Sequence, residues 1–166
     1  MMQKLSKIVA LLGGSTFLLA LVAKYALGIV INTSPSASPA GIYRPDPNFN
    51  GLTKGDLVSV CLPHDWAVFA QQRGYIGGGG PCADQSMPLV KQIGAIAGEQ
   101  VYVAPENTML VDSHGRPLPH FTFGRYTVPV GMVWLHGNDP KSFDSRYYGI
   151  VPEENVLSVL KPLVTW

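Results

Sequence analysis

An uncharged stretch of 16 residues, positions 8–23, follows Lys4 and Lys7 near the start of the chain and decides where everything after it can fold. Lys24 interrupts it, and apolar residues resume over 25–31. A membrane-crossing helix needs about 20 apolar residues, so 8–31 can span if the Lys24 amine reaches for the far interface. A cleaved signal peptide shares this layout, but no Ala-x-Ala site closes the run and the apolar character continues past residue 23. The segment 1–31 is therefore read as a cytoplasmic tip with a retained, single-pass anchor. Basic residues on its N-terminal side hold that end in the cytoplasm and put residues 32–166 outside.

The charge balance of the exported part is then 9 Lys and Arg against 11 Asp and Glu. Near neutrality gives no electrostatic support for binding nucleic acid. Cys61 and Cys82 both fall in this part, where the compartment permits a bridge, and they are read as a disulfide. Zinc is the rival, with His64 near Cys61, but paired metal-ligand spacing is lacking and no metal is expected.

Short apolar runs bounded by Gly, Pro and Asp predict strands at 56–61, 89–96, 100–104, 109–112, 126–128, 132–136 and 156–164. Pro162 restricts the last to an edge position or an early end. A helix is expected at 65–73, with Asp65 as N-cap and Gly74 as its stop. The four glycines at 77–80 lack the Gly-Lys-Ser/Thr of a phosphate loop. The expectation is a mainly β domain, its short strands curled around one core, with few short helices.

Two places carry chemical interest. In the run 88–94, alternation puts Leu89, Lys91 and Ile93 on one face, so an amine points where its neighbours call for a core. Burial disfavours the ammonium form and turns a lysine into a base near neutral pH; the alternatives are a lysine that snorkels to water or pairs with a buried acid. The Ser- and Pro-rich stretch 32–47 has the composition of a linker. Within it Ser34, Ser36 and Ser38 alternate, so that an extended chain would turn all three hydroxyls one way. The histidines His64, His114, His120 and His136 offer no nucleophile-elbow context, which leaves a neutral lysine as the base a serine needs.

Several blocks, in order, resemble the signal peptidase family of serine peptidases, and its conjugative-transfer, TraF-type branch in particular. They are Asn32-Thr33-Ser34-Pro35-Ser36 leading to Pro39-Ala40-Gly41-Ile42-Tyr43; Arg73-Gly74-Tyr75-Ile76-Gly77; Lys91 with Gly94 and Gly98-Glu99; Ser142-Phe143-Asp144-Ser145-Arg146-Tyr147-Tyr148-Gly149; and the ending Pro162-Leu163-Val164-Thr165-Trp166. The resemblance implies a signal-peptidase-like curled β-sheet domain behind one transmembrane helix. It implies a Ser–Lys dyad with Lys91 as general base, needing no cofactor.

The usual TraF spacing, one residue between serine and proline, lands on Ala37. Counting from Asn32, or using the Ser-x-x-Pro spacing of general signal peptidases, selects Ser36. Ser38 is the alternative nucleophile. Ser34 is a candidate oxyanion donor, a role that would pass to Ser36 if Ser38 were the nucleophile. Asp144 is implied as required for activity, with Arg146 as its charge partner; the residues alone also fit a surface ion pair. Ser145 could orient the lysine or be a solvated turn serine, and Asp139 is read as turn chemistry.

The implied protein is a serine endopeptidase of the cytoplasmic membrane with a periplasmic domain. Its partners would be a membrane-held precursor, the subunit of a conjugative pilus above all, and other secretion components, and its product could be cyclised. A general leader peptidase and a non-catalytic binding module of a secretion apparatus are the competing expectations.

Overall fold

The computed structural model describes residues 27–166, together with Gly14, Ser15 and Val22. The expected membrane helix therefore lies outside the described residues, among which no helix is long and apolar enough to cross a membrane. The first strand, β1 (Val30–Asn32), already belongs to the folded sheet and takes its residues from the end of the stretch read as anchor. It pairs antiparallel with β2 (Gly41–Pro45), and both lie where no strand was expected. The linker reading of 32–47 fails because Tyr43 and Ala37 are buried in the domain.

β3 (Leu57–Val60), α1 (His64–Gln72) and β4 (Leu89–Ala95) follow. The helix starts one residue earlier than expected: Pro63 is the N-cap and makes no side-chain cap bond, while Asp65 sits in the first turn, where its charge favours the helix dipole. β5 (Gln100–Val103) and β6 (Gly124–Thr127) form a separate two-stranded ribbon. Between them 109–112 is not a strand. It contributes a single bridge, Val111 to Pro117, around a turn in which the amide of Gly115 donates to the carbonyl of Asp112. β7 (Met132–His136), the short α2 (Ser145–Tyr148), β8 (Val151–Pro152) and β9 (Val156–Thr165) complete the order.

The large sheet runs β1-β2-β9-β3-β4-β7-β8, every pair antiparallel. β9 is neither at its edge nor cut short by Pro162. Its first half pairs with β3 and its second with β2, so at Pro162 the strand has one neighbour only, and the register with β2 shifts between Ile42 and Tyr43. A bulge with one open side is where a residue lacking an amide hydrogen can be tolerated.

Val58, Val60, Ile93, Leu135 and Val159 from the sheet bury against Ala67 and Ala70 of α1. Each of the larger side chains contributes about 1.5–3 kcal/mol on leaving water. A second cluster, Val103, Val128, Trp134 and Ala95, joins the ribbon to the sheet. The Cys61–Cys82 disulfide spans a Cα separation of 5.7 Å and ties the end of β3 to the glycine loop before β4.

Candidate active site

On β4 the alternation holds: Lys91, Ile93 and Ala95 face inward. Only 3% of Lys91 is exposed, and its amine donates to the Ser142 hydroxyl at 2.6 Å and to the Ser36 hydroxyl at 3.4 Å. Loss of hydration lowers its pKa to about 8. Asp144 opposes that shift, Arg146 adds to it, and Asp139 opposes it. At that value roughly a tenth of the molecules carry the neutral amine at pH 7, the form that a general base requires.

The serines of the 33–40 segment do not share a face, because the segment is a turn and not an extended strand. Ser34 is exposed, and its hydroxyl accepts the amide of Ser36 at 3.4 Å. Ser36 is half-buried and meets Lys91. Ser38 turns the other way into the domain, where it bonds to the Tyr43 hydroxyl at 3.0 Å and accepts from the Asn32 amide at 3.3 Å. Of the three hydroxyls, that of Ser36 is the one brought to the lysine.

The third wall is the loop from β7 to α2. Asp144 is fully buried and caps α2 by accepting the amide of Arg146 at 3.0 Å. Its two oxygens also take Nε and Nη2 of Arg146 at 2.8 and 2.7 Å, and the amide of Gly137 at 2.8 Å. The pair is thus buried, not the surface ion pair that the residues alone allowed. Arg146 spends its remaining donors on the carbonyls of Asn107, Asp139 and Ser142. Asp144 makes no hydrogen bond to Ser36, Ser142 or Lys91; what it holds in place is this loop.

The loop in turn grips the other two walls. The amide of Asp139 donates to the carbonyl of Ser36 at 3.2 Å, and the Asn138 side chain to that of Ala37 at 3.4 Å. The Asp139 carboxylate makes the expected turn by accepting the amide of Lys141. Phe143 packs among Trp66, Phe69, Tyr75, Tyr147 and Tyr148, which pins the stretch between Ser142 and Asp144 to α1. A side chain at Gly137 would overlap the Ser142 hydroxyl, so only glycine leaves room there.

Ser142 is the residue that sequence reasoning passed over. Ser145, considered for the same task, is buried and accepts the amide of Leu135 at 2.9 Å; it is not solvated and makes no hydrogen bond to the lysine. The signal was the helix start. Once Asp144 is the N-cap, Ser145 lies in the first turn and faces β7, and the hydroxyl left upstream to reach β4 is that of Ser142. Among the described residues no cluster of three or more His, Cys, Asp or Glu could hold a metal ion, and His64 faces Asp84 at 3.6 Å.

A buried, partly neutral amine between two hydroxyls on a curled antiparallel sheet is geometry that activation of a serine by a lysine would require. The profile of the family described as "Signal peptidase, peptidase S26" matches residues 8–165, and the chain belongs to that family. Among curated proteins it is similar to the "Conjugal transfer protein TraF" of Agrobacterium fabrum (strain C58 / ATCC 33970), with 34% identity over 152 residues covering 84% of each chain. It is equally similar to a "Plasmid transfer protein TraF" of Escherichia coli, 34% identical over 179 aligned positions covering 99% of this chain and 98% of the other. No solved structure gives a significant match.

Proposed function

We propose that this protein is a membrane-anchored serine endopeptidase that cleaves an exported precursor at the outer face of the cytoplasmic membrane, using Ser36 as nucleophile and Lys91 as general base. The observation that carries this is the buried Lys91 amine, held near pKa 8 with the Ser36 hydroxyl 3.4 Å away. Ser36 Oγ attacks the scissile carbonyl while Lys91 takes its proton. The oxyanion is received by the Ser36 amide and the Ser34 hydroxyl, which give up the 3.4 Å bond between them to do so. Lys91 then protonates the leaving amine, and an acyl-enzyme remains. Water, deprotonated by the same lysine, resolves it by hydrolysis; an incoming amine resolves it by ligation or cyclisation. Ser142 orients the lysine throughout.

The names of the similar proteins support conjugation as the setting; the subunit of a conjugative pilus is the substrate that the resemblance to the TraF-type branch implies. Ser36 follows Ile31 by only five residues, which suits a bond presented at the bilayer surface. The test is intact-mass analysis of a co-expressed pilin precursor with the wild type, Ser36→Ala and Ser38→Ala. Loss of processing in Ser36→Ala alone is expected, and the wild-type product mass distinguishes hydrolysis from a ring, which is one water lighter. If neither serine matters, the peptidase reading falls and a binding module takes its place.

A further inference from the structure

Ser36 rides on a loop that its own sequence does little to hold. Residues 33–40 connect β1 to β2, whose closing partners are Asn32 and Gly41. The far end is fixed by close approach: a Cβ on Gly41 would strike the Val164 carbonyl of β9. The middle rests on the Asp139 amide and the Asn138 side chain, which hold the Ser36 and Ala37 carbonyls, and the near end is fixed by one side chain. Asn32 is only 6% exposed, and its amide nitrogen lies within hydrogen-bond distance of the carbonyls of Ser38 and Pro39 and of the Ser38 hydroxyl, at 3.3–3.4 Å. Its side-chain oxygen accepts the amide of Ser34 at 3.3 Å. A single residue thus grips the loop on both sides of Ser36. The Ser38 hydroxyl passes the contact to Tyr43, whose own hydroxyl donates to the Pro39 carbonyl at 2.7 Å.

The geometry points to Asn32 as a positioning residue that, with Tyr43, latches the 33–40 turn and holds the Ser36 hydroxyl within reach of Lys91. The inference rests on the reading of Ser36 as nucleophile. Asn32 touches neither Lys91 nor Ser36 through a hydrogen bond, so its loss should misplace the nucleophile and leave the base unaltered. A displacement near 1 Å at a reacting group costs on the order of 100-fold in rate.

The experiment compares full-length wild type, Asn32→Ala, Tyr43→Phe and Ser36→Ala on the pilin precursor, with rates expressed per folded molecule. It adds amide hydrogen exchange of the same four proteins. For Asn32→Ala the expected result is a fall in kcat of about 10–100-fold, with KM within about twofold and the midpoint of the pH–rate curve unmoved. Exchange over 33–40 should quicken while β3 and β4 keep their protection. Tyr43→Phe keeps the buried ring and should show the same pattern at smaller size, which serves should Asn32→Ala fail to fold. A wild-type rate per folded molecule in both variants, or unchanged exchange over 33–40, overturns the latch. If the wild type cleaves nothing, it is the peptidase reading that falls, and the exchange data decide the latch alone.

Discussion

The Ser142 hydroxyl stands 2.6 Å from the Lys91 amine, nearer than the Ser36 hydroxyl at 3.4 Å, so the lysine is aimed by one serine at another. Ser142 sits in the loop organised by the Asp144–Arg146 pair, and Lys91 sits in the sheet. The contact is the seam at which loop and sheet agree on where the amine points.

Ser142→Ala should therefore lower kcat by about 10–100-fold with little change in KM, and Ser142→Thr should restore part of it. Ser145→Ala should act on stability instead. It leaves the buried amide of Leu135 without its acceptor, at a cost of about 1–3 kcal/mol in a urea titration.

Activity should rise with pH and level off above about 8, as Lys91 loses its proton. A flat profile between about pH 6 and 9 would count against Lys91 as base. Lys91→Arg should be inactive, since a guanidinium stays protonated.

Stability should carry the opposite face of the same burial. The folded-state pKa of Lys91 lies below the ordinary 10.5, so between about pH 8 and 10.5 the unfolded chain binds more protons and stability climbs with pH. Below pH 8 the cost of burying the charge is fully present, roughly 3 kcal/mol. Lys91→Met should melt higher than wild type at pH 7, and the gap should narrow as pH is raised through that window.

Asp144→Asn keeps an acceptor for the helix cap but leaves the Arg146 cation buried without its carboxylate. A loss of about 3–5 kcal/mol is expected by denaturant unfolding. Activity should fall with it, because Arg146 holds the carbonyls of Asp139 and Ser142.

Opening the Cys61–Cys82 bridge, by Cys61→Ser with Cys82→Ser, should cost about 2–4 kcal/mol of stability and leave the Lys91 contacts in place. Melting curves with and without reductant would read the difference.

What the sequence disclosed followed from how continuous its signals were. β7 was legible to the residue, because Met132 to His136 is an apolar run between turn formers, and β4 disclosed the inward lysine through simple alternation. β1 was hidden inside a longer apolar stretch, and β2 inside a composition that reads as linker; both are strands because β9 and each other supply partners that no local pattern announces. The stretch 109–112 misled in the other direction, apolar enough for a strand but with no ladder to join. At the site, alternation drew attention to Lys91 and to the serine triplet, and the resemblance singled out Ser36 and the Asp144–Arg146 pair. Which hydroxyl faces the lysine depended on side-chain direction around a helix start, and Ser142 and Ser145 exchange places in consequence.

β9 separates β2 from β3, so within the sheet the hairpin carrying Ser36 reaches the strand carrying Lys91 only across it. Synthesis delivers these pieces in the order hairpin, lysine strand, Ser142 loop and finally β9. Without β9 the sheet would fall into two sets of strands, one carrying the hydroxyl and the other the amine. The Ser36–Lys91 contact is thus a product of the whole sheet, and removing β9 would leave hydroxyl and amine on strands with no ladder between them.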